Sequence, residues 1–566
     1  MRDLQRQNRD VDARVRSDDA AATASARACQ IDAKVSHQPD LTPTLATPVM
    51  NALTPSPRKK LPIGIQTLST IIQGDYYYVD KTQLVQQLIA NGQYYFLSRP
   101  RRFGKSLLID TLKEIFEGNQ ALFTGLQIHD HWDWSQRFPV INISFGGGEL
   151  KNREDLNQVL HQQLDKHERT FNLPARYPDH RSRLADLLAR THAQTGQKVV
   201  VLVDEYDKPI LDNITDSATA TIMRDGLKDF YSVIKDADAH IRFAMLTGVS
   251  KFSLFSGLNN LQDITLKPAF SAICGYTDVD VDTVFAPELT GLDRNTIRRW
   301  YNGYNWRGTS VYNPFDLLLL FENREFRPWW FETGSPSFLI KLMAKKGFFT
   351  PKLASFTSDE ELLSAFDVDH ITPEALLFQT GYLTIHKEQQ TPAGNWRYTL
   401  AYPNREVEVS LNSGLLGSYT FDASSSQQHR FKLEDLLLAN DIAGMRALFQ
   451  SFFASIPHQW FDNNPIARYE GYYASVFYSY FAALGYQVRV EDATNHGRID
   501  MAVILPENIY LFEFKVVELL PDGKALQQLQ DKAYADKYRS HGLPIHLIGV
   551  EFSREARNVV GFEVGA

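Results

Sequence analysis

Cysteine is nearly missing from this chain: there are two in 566 residues, Cys29 and Cys274. That count excludes a disulfide framework and a cysteine-based zinc site. Long hydrophobic runs are missing too, which leaves no stretch for a membrane-spanning helix. The opening residues, MRDLQRQNRDVDARVRSDD, lack a hydrophobic signal core. A cytoplasmic protein with no membrane partner is expected. A large excess of one charge is also absent. The net charge of -8 excludes a histone-like basic binder, although a local basic groove fits within it. Residues 1–58 contain no Phe, Tyr or Trp, so they cannot bury enough apolar surface to offset their ordering entropy. A disordered N-terminal extension is expected there.

What is present begins at about residue 59. The chain is 43% hydrophobic, with 35 Phe and 25 Tyr, and is too long for a single core. Apolar runs at Tyr94–Pro100, Phe138–Phe145, Lys198–Asp207 and Ile241–Ser250 read as buried strands. Helical patterns at Leu156–Phe171 and Thr221–Ile234 lie between them. Strands alternating with helices predict a mostly parallel sheet covered on both faces. Residues 285–450 read as mainly helical, as in IRRWYNGYNW (Ile297–Trp306). EALLFQTGYLTI followed by WRYTLAYPNREVEVSL reads as a helix and a small hairpin, resembling a winged helix. From residue 451 a third pattern follows. It has an aromatic-rich helix, the strands QVRVEDAT, GRIDMAVILP and IYLFEFKVV, the helix KALQQLQDKAYADKYR and a last strand IHLIGVEFS.

The first strand runs into Gly104-Lys105-Ser106, the end of a phosphate-binding loop. Gly104 permits close backbone approach, Lys105 reaches the outer phosphates and Ser106 offers a hydroxyl to Mg²⁺. A second strand must end in acid, and VVVLVDEYD does. Asp204 would hold the Mg²⁺ through water and Glu205 would polarise the attacking water. Thr247, at the end of a further strand, is placed to sense the γ-phosphate, with Ser250 as the alternative. The loop departs from the usual motif at Arg99, where a first glycine would stand. Pro100 stiffens the loop, and Arg101 and Arg102 add positive charge.

These stretches resemble a bacterial AAA-ATPase-like family fused to a PD-(D/E)XK nuclease-like domain. The resemblance covers about residues 60–560. It is carried by YVDKT (Tyr78–Thr82), RPRRFGKS, LVDEYDKP (Leu202–Pro209), LTGVSKFS (Leu246–Ser253) and WYNGY (Trp300–Tyr304). In that family RPRRFGKS is the usual form of the loop, so Arg99 is a family trait. Asp80 and Lys81 would support the loop or the adenine side, with a helix cap as the other reading of Asp80. Arg298 or Arg299 would be an arginine finger or a phosphate sensor, with ordinary surface charge as the other reading. Relatives of this type often form rings, so a homo-oligomer is among the expected partners.

In the third pattern, Asp500 precedes Glu513 by thirteen positions and Lys515 follows two later. Alternation puts Glu513 and Lys515 on one strand face, where Asp500 of the neighbouring strand can join them. Two carboxylates hold Mg²⁺ and the lysine serves the attacking water, the arrangement of PD-(D/E)XK nucleases. A buried ion pair is the competing reading. Glu470 would be the additional acid. Gln527, Gln528, Gln530 and Tyr534 resemble the Gln-and-Tyr helix of the RecB-like branch, with Gln530 and Tyr534 on one face. His496 reads as loop.

The expected fold is α/β. A P-loop ATPase domain with a parallel sheet (59–284) precedes a helical, winged-helix-like middle (285–450) and a restriction-endonuclease-like domain (451–566). The expected activity is ATP binding and hydrolysis joined to Mg²⁺-dependent cleavage of nucleic acid. The alternative is a nucleotide-dependent switch that binds nucleic acid or protein without cutting.

Overall fold

The computed structural model describes residues 57–565 apart from 253–259, 333–338, 341, 344–347, 360–371, 420–422, 456–469 and 495. The N-terminal extension expected over residues 1–58 therefore lies almost wholly outside the described residues. No described helix is long and apolar enough to cross a membrane.

The chain is mixed α/β. Five strands build the first sheet: β1 (Tyr94–Ser98), β2 (Val140–Ser144), β3 (Val199–Asp204), β4 (Ile241–Gly248) and the short β5 (Gln262–Asp263). Their order is β2-β3-β4-β1-β5 and every pairing is parallel. β1 and β3 are buried along their whole length, which explains their unbroken apolar sequences. The helix Lys105–Phe116 packs on the sheet through Leu108, Leu112 and Ile115, at helical spacing. The helices Arg153–Thr170, His180–Thr195 and Ser217–Asp236 begin at Asn152, Asp179 and Asp216, whose side chains accept from free amides of the first turn. Because all five strands point one way, their carboxyl ends share one edge.

The middle of the chain adds a three-stranded antiparallel sheet in the order β6-β8-β7. Its strands are β6 (Phe356–Asp359), β7 (Thr384–Gln390) and β8 (Trp396–Ala401), and the helix Pro373–Gln379 precedes β7. The hairpin expected from WRYTLAYPNREVEVSL is displaced. Its strands are β7 and β8, whereas the Glu-Val-Glu-Val run begins the helix Arg405–Tyr419. Asn404 Oδ1 accepts from Val407 N at 3.1 Å, a local cap that overrides the two-residue alternation. Val407, Leu411 and Leu415 are then buried at four-residue intervals. IRRWYNGYNW is helical only to Tyr301. Gly303 follows at φ +108°, and a Cβ there would lie 1.9 Å from the Pro403 carbonyl oxygen.

The C-terminal sheet comprises β9 (Gln487–Ala493), β10 (Arg498–Ile504), β11 (Ile509–Val517), β12 (Ile545–Ser553) and β13 (Asn558–Gly565), in the order β13-β12-β11-β10-β9. β11 and β12 are parallel and the other pairs antiparallel. IHLIGVEFS is therefore not the last strand: β13 pairs back onto it. The helix Glu470–Ala483 covers this sheet, with the Phe477 ring 5.1 Å from Phe514 and 6.1 Å from Phe512. The helix read as one unit over KALQQLQDKAYADKYR is two pieces. Lys524–Asp531 is α-helical and Tyr534–His541 is a 3₁₀ turn, separated by Ala533 at φ +45°. One apolar cluster runs through all three sheets, from Leu97 through Leu376 and Phe449 to Phe512.

Candidate functional site

The first site lies at the carboxyl edge of the parallel sheet. β1 ends at Ser98, and a loop of five residues leads to Gly104, whose φ of +93° only glycine adopts freely. Lys105 opens the following helix, so the free amides of its first turn face the loop. β4 lies between β1 and β3, pairing Leu97 with Thr247 and Val203 with Leu246. That register brings three predicted residues together around one carboxylate. Ser106 Oγ donates to Asp204 Oδ2 at 2.5 Å, and Thr247 Oγ1 donates to Asp204 Oδ1 at 2.7 Å.

Lys105 is buried, and its Nζ donates to the carbonyls of Arg99 at 2.9 Å and Pro100 at 3.0 Å. Burial pulls its pKa down, against the charges of Asp204, Asp207 and Glu205. Glu205 sits at φ +55° beside Gly146, where a Cβ would lie 3.3 Å from its Oε2. Burial, then the Asp204 charge, pushes its carboxyl up. A cavity of ≈ 660 Å³ opens here, whose lining includes the polar Arg101, Lys105, Ser106 and Glu205 and the aromatic Tyr78, Tyr276 and Phe315. Its size and its mixture of apolar wall and convergent polar groups suit a small-molecule ligand.

The second site lies on the C-terminal sheet. Met501 pairs with Phe512, which sets Asp500 beside Glu513. Asp500 Oδ2 accepts from Phe514 N at 2.8 Å. Glu513 has no exposure, and Lys515 Nζ lies 3.4 Å from its Oε1. Gln528 donates to the same Oε1. Glu513 Oε2 is buried without a hydrogen-bond partner. Burial, with the Asp500 charge second, pushes the Glu513 carboxyl up to about 8. An orphaned carboxylate oxygen beside a second carboxylate fits a hard divalent cation. No cluster of three or more His, Cys, Asp or Glu side chains suited to a metal occurs among the described residues. Two carboxylates still suffice for Mg²⁺, which commonly completes its shell with water and phosphate oxygens. Glu470 begins the helix Glu470–Ala483, and its side chain lies outside the described residues.

Comparison with known proteins separates the two sites into two domains. Residues 62–256 match the family model described as a predicted AAA-ATPase, and residues 468–562 match the PD-(D/E)XK nuclease superfamily. A protein of Azotobacter chroococcum mcd 1, described as an uncharacterized protein in the vnfD 5' region, is 61% identical over 511 residues. The match covers 90% of this chain and 99% of that one. The chain belongs to the AAA-ATPase-like family with a C-terminal PD-(D/E)XK nuclease superfamily domain. Among solved structures it is similar to the Aeropyrum pernix ORC1 protein in complex with DNA, at 12% identity over 61% of this chain and 95% of that one. The TM-score of 0.23 is too low for any argument to rest on it.

Within this AAA-ATPase-like protein several expectations are redrawn. Arg99, which stands in place of the first glycine, faces the protein interior. It is fully buried, donates to the carbonyls of Ser98, Thr265, Phe270 and Ser271, and stacks 4.1 Å from the Trp306 ring. Burial lowers its pKa only to about 10, so it stays charged at neutral pH. Ser250, the alternative to Thr247, has its amide and hydroxyl both donating to Asp207 Oδ2 at 2.6 Å. Asp80 caps locally, accepting from Thr82 N and Gln127 N, while Lys81 pairs with Asp280 at 2.6 Å. Arg298 pairs with Asp278 at 3.1 Å, and neither it nor Arg299 is among the described residues that line the cavity. Gln530 and Tyr534 do not share a helix face, because the helix ends before Tyr534. Gln528 is the residue that reaches Glu513. His496 lies in the loop before β10, as read, with its amide bonded to Thr494 Oγ1.

Two residues escaped sequence reasoning. Asp207 ties the end of β4 to the segment after β3, and its only signal was a place inside LVDEYDKP. Glu551 is buried opposite Lys515 and accepts from the amides of Asp522, Gly523 and Ala525, which anchors the start of the Gln528 helix. Nothing in its local sequence marks it.

Proposed function

We propose that this chain binds and hydrolyses ATP with Mg²⁺ at the parallel-sheet edge, and that its C-terminal domain cleaves nucleic acid at Asp500, Glu513 and Lys515. One observation carries the reading. At each of two sheets a buried carboxylate, Asp204 or Glu513, stands near a lysine and a second oxygen donor, an arrangement suited to Mg²⁺-bound phosphate.

At the first site, Lys105 exchanges its loop carbonyls for the outer phosphate oxygens. Ser106, and Asp204 through water, would hold the cation there. Glu205 orients the attacking water and takes up its proton, a role favoured by its raised pKa. Thr247 reports the state of the last phosphate through Asp204. At the second site, Asp500 and Glu513 hold the cation and Lys515 orients the nucleophilic water. Bound Mg²⁺ supplies charge neutralisation and lowers the pKa of its water at either site. The working units are residues 59–284, 285–450 and 451–566.

A second reading has one observation in its favour. Lys515 and Gln528 both already occupy Glu513 Oε1, as in a metal-free ion-pair network. The protein would then bind nucleic acid without cutting it. Cleavage of single- and double-stranded DNA and RNA should be measured with Mg²⁺ or Mn²⁺, with and without ATP. We expect phosphodiester cleavage by the wild-type chain and none by Asp500→Ala or Lys515→Ala. Equal cleavage by both variants sinks the nuclease reading. ATP turnover unchanged in Lys105→Ala sinks the ATPase reading.

A further inference from the structure

The phosphate loop lacks the first glycine that lets such a loop shape itself, and the middle of the chain supplies a partner for every loop residue instead. Arg99 stacks on Trp306. Pro100 abuts Gly381, where a Cβ would lie 2.5 Å from its Cγ. The Arg101 carbonyl accepts from Trp330 Nε1 at 3.2 Å. The Arg102 guanidinium lies 4.7 Å from the Phe315 ring centre, and Phe103 meets Tyr304 edge-on at 4.7 Å.

Trp330 differs from the others in grasping the loop backbone. A trans peptide places its C=O and the next N–H on opposite sides. Holding the Arg101 carbonyl on the indole therefore turns the Arg102 amide away from Trp330. Arg102 itself is left-handed at φ +70°, a strained conformation for a side-chain-bearing residue. Alternation of ordinary and left-handed residues is how a short backbone segment gathers amides around an anion. Trp330 is fixed in turn, since its own amide donates to Glu406 Oε1 at 2.8 Å. Glu406 is in the first turn of the helix Arg405–Tyr419, which packs along the nuclease-domain helix Glu470–Ala483.

We propose that Trp330 is a positioning residue for nucleotide binding, holding the Arg101 carbonyl so that the strained loop presents its amides to phosphate. This rests on the ATP-binding reading above. It also makes the middle of the chain part of the ATP site.

The test uses the full chain and Mg²⁺-ATP. Trp330→Phe keeps an aromatic ring, though a smaller one, and removes the N–H. The dissociation constant for ATP should rise about tenfold, the usual consequence of one unpaired backbone acceptor. KM should rise with it, while kcat stays within about twofold. The unfolding temperature without nucleotide should fall by the few degrees that lost ring volume at a buried site costs, a loss that Arg102→Gly should not restore. Arg102→Gly, which adopts a positive φ without strain, should restore affinity when added to Trp330→Phe. Should Trp330→Phe fail to fold, 3-benzothienylalanine incorporated at position 330, which puts sulfur in place of the N–H at nearly the same volume, decides the matter with and without Arg102→Gly by the same loss and rescue. Affinity unchanged in Trp330→Phe overturns the proposal, as does a loss that Arg102→Gly leaves untouched. Trp396→Phe, in the β7–β8 hairpin and not among the described residues that line the cavity, should bind ATP as the wild type does. A wild-type chain that binds no ATP overturns the functional reading, and this inference with it.

Discussion

Arg99 stands where a phosphate loop ordinarily has glycine, and it has become a strut. Its guanidinium serves four carbonyls and an indole face. Restoring glycine should therefore harm the protein. We expect Arg99→Gly to lower stability by roughly 3–5 kcal/mol, because several buried carbonyls lose their donor together. Urea unfolding checks this, and a midpoint equal to wild type would refute it. Lys105, Ser106 and Asp204 were legible in sequence because their chemistry follows from residue type and from the strand each one ends. Asp207 and Glu551 were not. Their partners are backbone amides 26 to 43 positions away, and any buried carboxylate would look the same from its neighbours in the chain.

The helix carrying Gln528 owes its place to Glu551, which binds the amides entering it. Glu551→Ala should cost about 2–3 kcal/mol and reduce cleavage roughly tenfold to a hundredfold without touching substrate. Cleavage at the wild-type rate would show that the helix needs no such anchor. The helix Arg405–Tyr419 offers a pH test. Burial pushes the Glu408 carboxyl from its ordinary 4.5 up to about 7, with Arg405 opposing. The folded chain then holds this proton more tightly than the unfolded one. Its contribution to stability is fully present below about pH 4.5 and is lost as the pH rises through 7. Glu408→Gln should flatten the fall in unfolding temperature across that window, and an unchanged profile would dismiss Glu408 as its source. Sequence alternation misled at this helix because Glu-Val-Glu-Val fits a strand until Asn404 caps it. Strands β1 and β3 were legible because burial on both faces writes an unbroken apolar run. The break at Ala533 was not, since KALQQLQDKAYADKYR shows no glycine or proline to announce it.

The three sheets share one apolar cluster, so loss of one sheet would strip packing from the others. Calorimetry should show one cooperative transition, raised as a whole by Mg²⁺-ATP. Two resolved transitions, with only the first responding to nucleotide, would contradict this. The two proposed chemistries should be separable despite the shared core. Asp500→Ala should abolish cleavage and leave ATP turnover intact, and Lys105→Ala should abolish turnover. Gly303 belongs to neither chemistry, yet any side chain there would strike the Pro403 carbonyl at 1.9 Å. A random mutant library sorted by lost activity would therefore flag Gly303 as severely as Lys105. Assays of folded yield, read beside those of turnover, are what would tell the keystone from the catalyst.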